Sequence, residues 1–266
     1  MAGQSGERSR AMIDAHIHLW GAEVAAAGWL AGERTAAIRR PMAITEYVAG
    51  AGPEVEGVVL VTAEQSVAES ARLIATAAAE QLVLGVVGWV DLAGGFNPDD
   101  LAGLVGIRHS VSAEDAGWLG RSDVRTGIAA FAVTGLVLEV LVAARDLADV
   151  AALAAEHPAL AIVVDHLGDA SVGGPAWELG IEALAACPNV RVKLSGDHAT
   201  SPAARVVLDK LGAGRVMIGS DWPVSSLRQP VDTEIASLVA LLDTLTPEDR
   251  DRVLTGTALD TYRLGS

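Results

Sequence analysis

Two histidines in one apolar run are the first residues of this sequence that could do chemistry. They lie in Met12-Ile13-Asp14-Ala15-His16-Ile17-His18-Leu19-Trp20. Successive side chains of a strand alternate faces, so His16 and His18 point the same way, about 7 Å apart along the chain. Imidazoles at that spacing can converge on one ion, with nitrogens about 2.0–2.1 Å from it. They can equally converge on one substrate oxygen. Ile13, Ala15, Ile17 and Leu19 would then face the opposite way, into apolar packing. The plainer reading is a half-buried strand whose histidines make ordinary hydrogen bonds.

The company these histidines keep argues for the functional reading. Other apolar segments end in polar pairs: Arg108-His109, Asp165-His166 and Lys193 with Ser195, while Asp221 is followed by Trp222-Pro223 and Glu64-Gln65 comes after another segment. Of the six histidines, four fall on such ends; His157 precedes a proline and His198 lies just past Ser195. His16, His18, His166 and Asp221 form the candidate site, with Arg108, His109, Glu64, Lys193 and Trp222 as substrate contacts. Strand alternation leaves open which face Lys193 takes. Trp20, Trp89 and Trp118 suit either a pocket wall or simple core packing.

The elements that must position these groups alternate. Strands are expected at residues 12–20, 57–62, 82–90, 104–109, 135–142, 161–166, 190–195 and 215–221. Several are apolar throughout, as strands buried on both faces should be. Helices are expected over 66–80, 145–156 and 233–245, with short pieces near 43–48 and after Pro247. Eight strands, most separated by helical segments, read as a (β/α)8 TIM barrel, whose active sites lie at the C-terminal mouth. A doubly wound sheet is the competitor, but no Gly-x-Gly-x-x-Gly follows any strand and no Walker loop is present.

Residues 1–11 read as a disordered tail without the apolar core of a signal peptide, and 12–266 as a single domain. The length of 266 residues suits a barrel, and 51% apolar residues suffice for a large core. A net charge of −15 offers no footprint for nucleic acid or an anionic membrane surface. No apolar run approaches the ~20 residues of a membrane span. The single cysteine, Cys187, excludes internal disulfides and suits a cytoplasmic protein. A homo-oligomer is compatible with all of this.

The motifs IDAHIHLW, GVVGWVDL, GIRHSV, VVDHLG, VRVKLSG and GRVMIGSDWPV occur in an order that resembles the amidohydrolase-related lactonases. That branch includes the sugar-acid lactonases and pyrone-dicarboxylate lactonase. The similarity runs from about Met12 to Leu264. It implies an amidohydrolase-like barrel that opens a small-molecule lactone, with or without one divalent ion, zinc being the expected metal. It also implies that His16, His18, His166 and Asp221 are the site and metal residues, and that Arg108 and His109 line the substrate pocket. Lactone opening needs a base to activate water and a stabiliser for the developing oxyanion. Asp221, with His166 beside it, suits the first role and the histidine cluster the second, directly or through the ion. The chain departs from the family pattern at Thr62, where relatives commonly carry Gln, at Leu138-Glu139, where an aromatic–Asp pair is usual, and at Gly256-Thr257. These departures bear on substrate identity. Two rival readings are a metal-dependent decarboxylase of the same superfamily and a catalytically inactive barrel that binds a ligand.

Overall fold

A computed structural model describes residues 11–265 except 26 and 172. The tail expected over residues 1–11 therefore falls, apart from Ala11, outside the described residues. Eight strands follow in chain order: β1 (Met12–Ile17), β2 (Val55–Val61), β3 (Val83–Gly88), β4 (Gly106–Ser110), β5 (Val137–Leu141), β6 (Ile162–Val164), β7 (Val190–Leu194) and β8 (Val216–Ile218). Each pairs in parallel with the next. The chain is thus a (β/α)8 barrel, nearly closed. β8 meets β1 through an Ile17–Trp222 bridge, with Asp221 N donating to His16 O at 2.9 Å and His18 N to Trp222 O at 2.7 Å. β1, β6 and β8 end before His18, His166 and Asp221, because these site residues leave the ladder, whereas β4 runs one residue past the expected end, to Ser110.

Helices fill most connections, and local sequence sets their ends. Ser66 Oγ accepts from Glu69 N to start Val67–Ala79, and Ser201 Oγ accepts from Ala203 N with Pro202 in the first turn of Pro202–Leu211. Between β3 and β4, Gly94-Gly95 and Pro98 leave only a 3-10 turn, Pro98–Leu101, capped by Asn97. Among the described residues, no helix is long and apolar enough to cross a membrane.

Two apolar layers hold the barrel. The outer one packs strand side chains such as Val58, Leu60, Ile107 and Ile162 against the helices. The inner one, Ile13, Ala15, Val59, Val61, Val87, Val137, Val163 and Met217, fills the barrel floor, and Ala258, Tyr262 and Leu264 seal it from below. The expectation for β1 needs correction here. Ile17 and Leu19 do join the outer layer, but Ile13 and Ala15 join the inner one, beneath the histidines. The cause is a register shift between Asp14 and Ile17, a bulge that turns His16 inward after Ala15.

Candidate active site

Backbone irregularity builds the site. The Asp14 carboxylate faces away from the barrel interior: Oδ1 accepts from His16 N at 3.2 Å and Ser220 N at 2.8 Å, and Oδ2 accepts from Tyr47 OH at 2.7 Å. One buried side chain thereby ties the bulge carrying His16 to the turn carrying Asp221. Gly219 makes this approach feasible, since a Cβ there would stand 2.5 Å from His16 Cβ. Asp221 and His166 both adopt left-handed backbone, φ 59° and 51°, which redirects their side chains as the strands end.

The four candidate residues converge at the mouth. His16 Nε2 and His18 Nε2 are 3.1 Å apart, and Asp221 Oδ1 is 3.5 Å from His18 Nε2, 3.7 Å from His16 Nε2 and 3.9 Å from His166 Nε2. Ligand atoms about 2.0–2.1 Å from a tetrahedral ion stand about 3.4 Å from each other, so these spacings fit a divalent ion with a mixed nitrogen and oxygen donor set. His18 Nδ1 donates to Val61 O at 2.8 Å, which leaves the Nε2 lone pair facing the site. His166 Nδ1 lies 2.8 Å from Ser195 Oγ.

Electrostatics separate the roles. Burial alone would raise the Asp221 pKa, but His166, then His18 and His16, outweigh it and hold the carboxyl well below the usual range. Burial, reinforced by Lys193, pushes His16 well below its ordinary value. Burial also lowers His18, against the pull of Asp221, with Arg108 adding to the effect. At neutral pH the site therefore holds an ionised Asp221 carboxylate beside two neutral imidazoles, His16 and His18.

Directly beneath lies a second, fully buried polar layer. Lys193 Nζ is 2.7 Å from Glu139 Oε2, 3.2 Å from His16 Nδ1 and 3.5 Å from Asp165 Oδ1. Tyr262 OH donates to the other Glu139 oxygen. Burial raises the Glu139 pKa to about 7.

A cavity of about 650 Å³ opens over the site. His18, Arg108, His166 and Asp221 line it, and His16 sits just behind them, fully buried. The structure puts the other expected contacts elsewhere. Lys193 points into the barrel, one layer too deep to line the cavity. On β4, alternation turns Arg108 and Ser110 toward the cavity and His109 away, where its ring stacks on Trp118 with centroids 3.9 Å apart and Nε2 3.1 Å from Glu114 Oε1. Trp222 packs edge-on against Tyr47 at 5.6 Å outside the cavity. Glu64 contributes its backbone N–H to Glu69 Oε2 at 2.8 Å, and its side chain is not among the cavity walls. Sequence reasoning missed the anchor Asp14 and, on the cavity wall, Ser110, Trp29 and the loop residues Asp169 and Asp197. Strand alternation could have found Ser110; the loop residues carry no periodic signal.

An ionised carboxylate among imidazoles, under a cavity at the C-terminal mouth of a barrel, is an arrangement suited to hydrolysis. The chain belongs to the amidohydrolase family, whose pattern it matches over residues 13–264. It is 33% identical to an L-fucono-1,5-lactonase of Burkholderia ambifaria, over 95% of each chain. It is 29% identical to the L-fucono-1,5-lactonase of Burkholderia multivorans, over 95% of this chain and 96% of the other. A crystal structure of an amidohydrolase from Burkholderia multivorans with bound zinc superposes with TM-score 0.83 at 27% identity, covering 96% of this chain and 99% of that one. A 5-carboxyvanillate decarboxylase from Novosphingobium aromaticivorans shares the fold at 13% identity, with TM-score 0.72 over 98% of both chains.

Proposed function

We propose that this hydrolase opens lactones, and that its substrate is a neutral sugar-acid lactone. The observation that carries the reading is the ionised Asp221 at the cavity base, within 3.9 Å of three imidazole nitrogens. Asp221 takes a proton from water as the water attacks the lactone carbonyl, then passes it to the ring oxygen as the ester bond breaks. His166 sits beside it and orients the water. Hydrogen-bond donors at the imidazole cluster stabilise the oxyanion. His16, His18, His166 and Asp221 would also hold a divalent ion, zinc by their donor types, which would polarise the carbonyl and acidify the water.

Charge on the walls supports a neutral substrate. Among the described residues lining the cavity, Arg108 is the only lysine or arginine. Its guanidinium is engaged already, donating to Thr62 O and lying 3.6 Å from Asp165 Oδ2. Asp169 lines the same cavity with Ser110, Ser112 and Ser171, while Asp197 there is paired with Arg228, a surface suited to hydroxyls with no free cation for a carboxylate among the described residues. The lactonase names of the relatives agree, and a carboxylated lactone or a benzoate for decarboxylation fits less well. The free Cys187 favours a cytoplasmic location.

The test is a pH-indicator assay with L-fucono-1,5-lactone, other neutral aldonolactones and 2-pyrone-4,6-dicarboxylate, alongside carbon dioxide release from hydroxybenzoates. Turnover of neutral lactones is expected. Preference for the dicarboxylated lactone would overturn the substrate assignment, and carbon dioxide release without lactone opening would overturn the reaction.

A further inference from the structure

Metal-binding histidines nearly always give their other ring N–H to a carboxylate, a carbonyl or water. His18 does so through Val61 O. His16 does not. Its Nδ1 lies 3.2 Å from the ammonium of Lys193, closer than Asp165 Oδ1 at 3.5 Å. An ammonium has three donors and no acceptor, so Nδ1 accepts there and a neutral His16 carries its proton on Nε2. That Nε2–H points at His18 Nε2, 3.1 Å away, whose lone pair is free because the His18 proton is on Nδ1. Both ends of this chain of hydrogen bonds are groups with one role only: a carbonyl at Val61 and an ammonium at Lys193.

Lys193 is held firmly in that role. It is fully buried and bonded to Glu139, which Tyr262 fixes from the far side. Its Nζ contacts all three members of a second donor group, His16, Glu139 and Asp165, so a fixed organic cation stands where an ion could otherwise sit. Asp165, meanwhile, is fully buried and neither of its carboxylate oxygens has a hydrogen-bond partner. Lys193, His16 and Arg108 stand 3.5, 3.5 and 3.6 Å away and the two cations balance its charge without a hydrogen bond, so Asp165 is open to a closer donor in another state of the site.

We propose that Lys193 is a positioning residue that holds His16 as an Nε2–H donor to His18, with Asp165 the alternative acceptor that takes the His16 Nδ1–H when Nε2 ligates an ion. Lys193 thus favours the hydrogen-bonded histidine pair and weakens metal binding at His16 Nε2. The proposal rests on the site assignment above, but its readouts do not depend on lactone turnover.

The experiment is long-range proton–nitrogen NMR of the metal-free full chain with labelled histidine, the His16 signals being assigned from their loss in His16→Gln. The wild-type protein should show His16 protonated at Nε2, and Lys193→Met should move the proton to Nδ1. Titration with cobalt(II) should then give an affinity about 10–100-fold higher in Lys193→Met, the usual range for a change in the partner of a ligating histidine. Should Lys193→Met fail to fold, the double variant Lys193→Met/Glu139→Gln removes both members of the buried pair and carries the same expectations. A His16 proton on Nδ1 in the wild type overturns the proposal, as does unchanged or weaker cobalt affinity in the variants. A chain with the expected tautomers that opens no lactone would reject the proposed function and leave this inference standing.

Discussion

Asp221 is buried where desolvation favours the protonated acid and three imidazoles favour the carboxylate; the imidazoles win. Asp221→Asn keeps the shape and most of the hydrogen bonding but cannot accept a proton. It should lower kcat by about 10²–10⁴-fold or more with KM nearly unchanged, measured on a confirmed lactone. Near-native kcat would shift the role of base to His166. His16→Ala or His18→Ala should also lower activity and release any ion that elemental analysis finds in the wild type. Full activity after thorough chelation, with no metal detected, would make these histidines substrate ligands instead. The convergence of His16, His18, His166 and Asp221 was legible in the sequence, because each ends an apolar strand and barrel strand ends share one mouth. The fate of the neighbouring pairs was not. His109 and Arg108 are adjacent, and only the observed pleat decides which of them faces the cavity.

At the scale of elements, the join between β1 and β8 depends on Asp14. Asp14→Ala would leave two buried backbone N–H groups and the Tyr47 hydroxyl without an acceptor, each worth about 1–3 kcal/mol. The variant should lose several degrees or more of melting temperature, with activity falling further than stability because His16 and Asp221 lose their common anchor. Asp14→Asn retains an acceptor and should recover most of both; equal damage from the two substitutions would refute the anchoring role. Strand positions were legible from their valine-rich runs. The bulge after Asp14 was not, because Ile13, Ala15 and Ile17 are all apolar and either face of the strand can bury them.

Across the whole molecule, stability should carry the mark of the buried layer beneath the site. Burial raises the Glu139 pKa from 4.5 to about 7, so between those values the folded chain binds more protons than the unfolded one. The contribution of Glu139 is full below about pH 4.5 and is lost as pH rises through about 7. Glu139→Gln stays neutral throughout. The melting temperature of the wild type minus that of the variant should therefore fall from pH 5 to pH 8, and an offset independent of pH would contradict the assignment.

The seam between Ile17 and Trp222 also has a consequence for synthesis. A ribosome makes the His-x-His pair at the outset and the strand that completes it some two hundred residues later. Until then β1 offers an unpaired edge, of the kind that recruits strands from other chains. A nascent chain halted before Gly219 would carry both imidazoles, lack Asp221 and expose that open edge. Ribosome-stalled chains of increasing length should therefore bind chaperones until the last strand emerges, and gain activity in one step once it does.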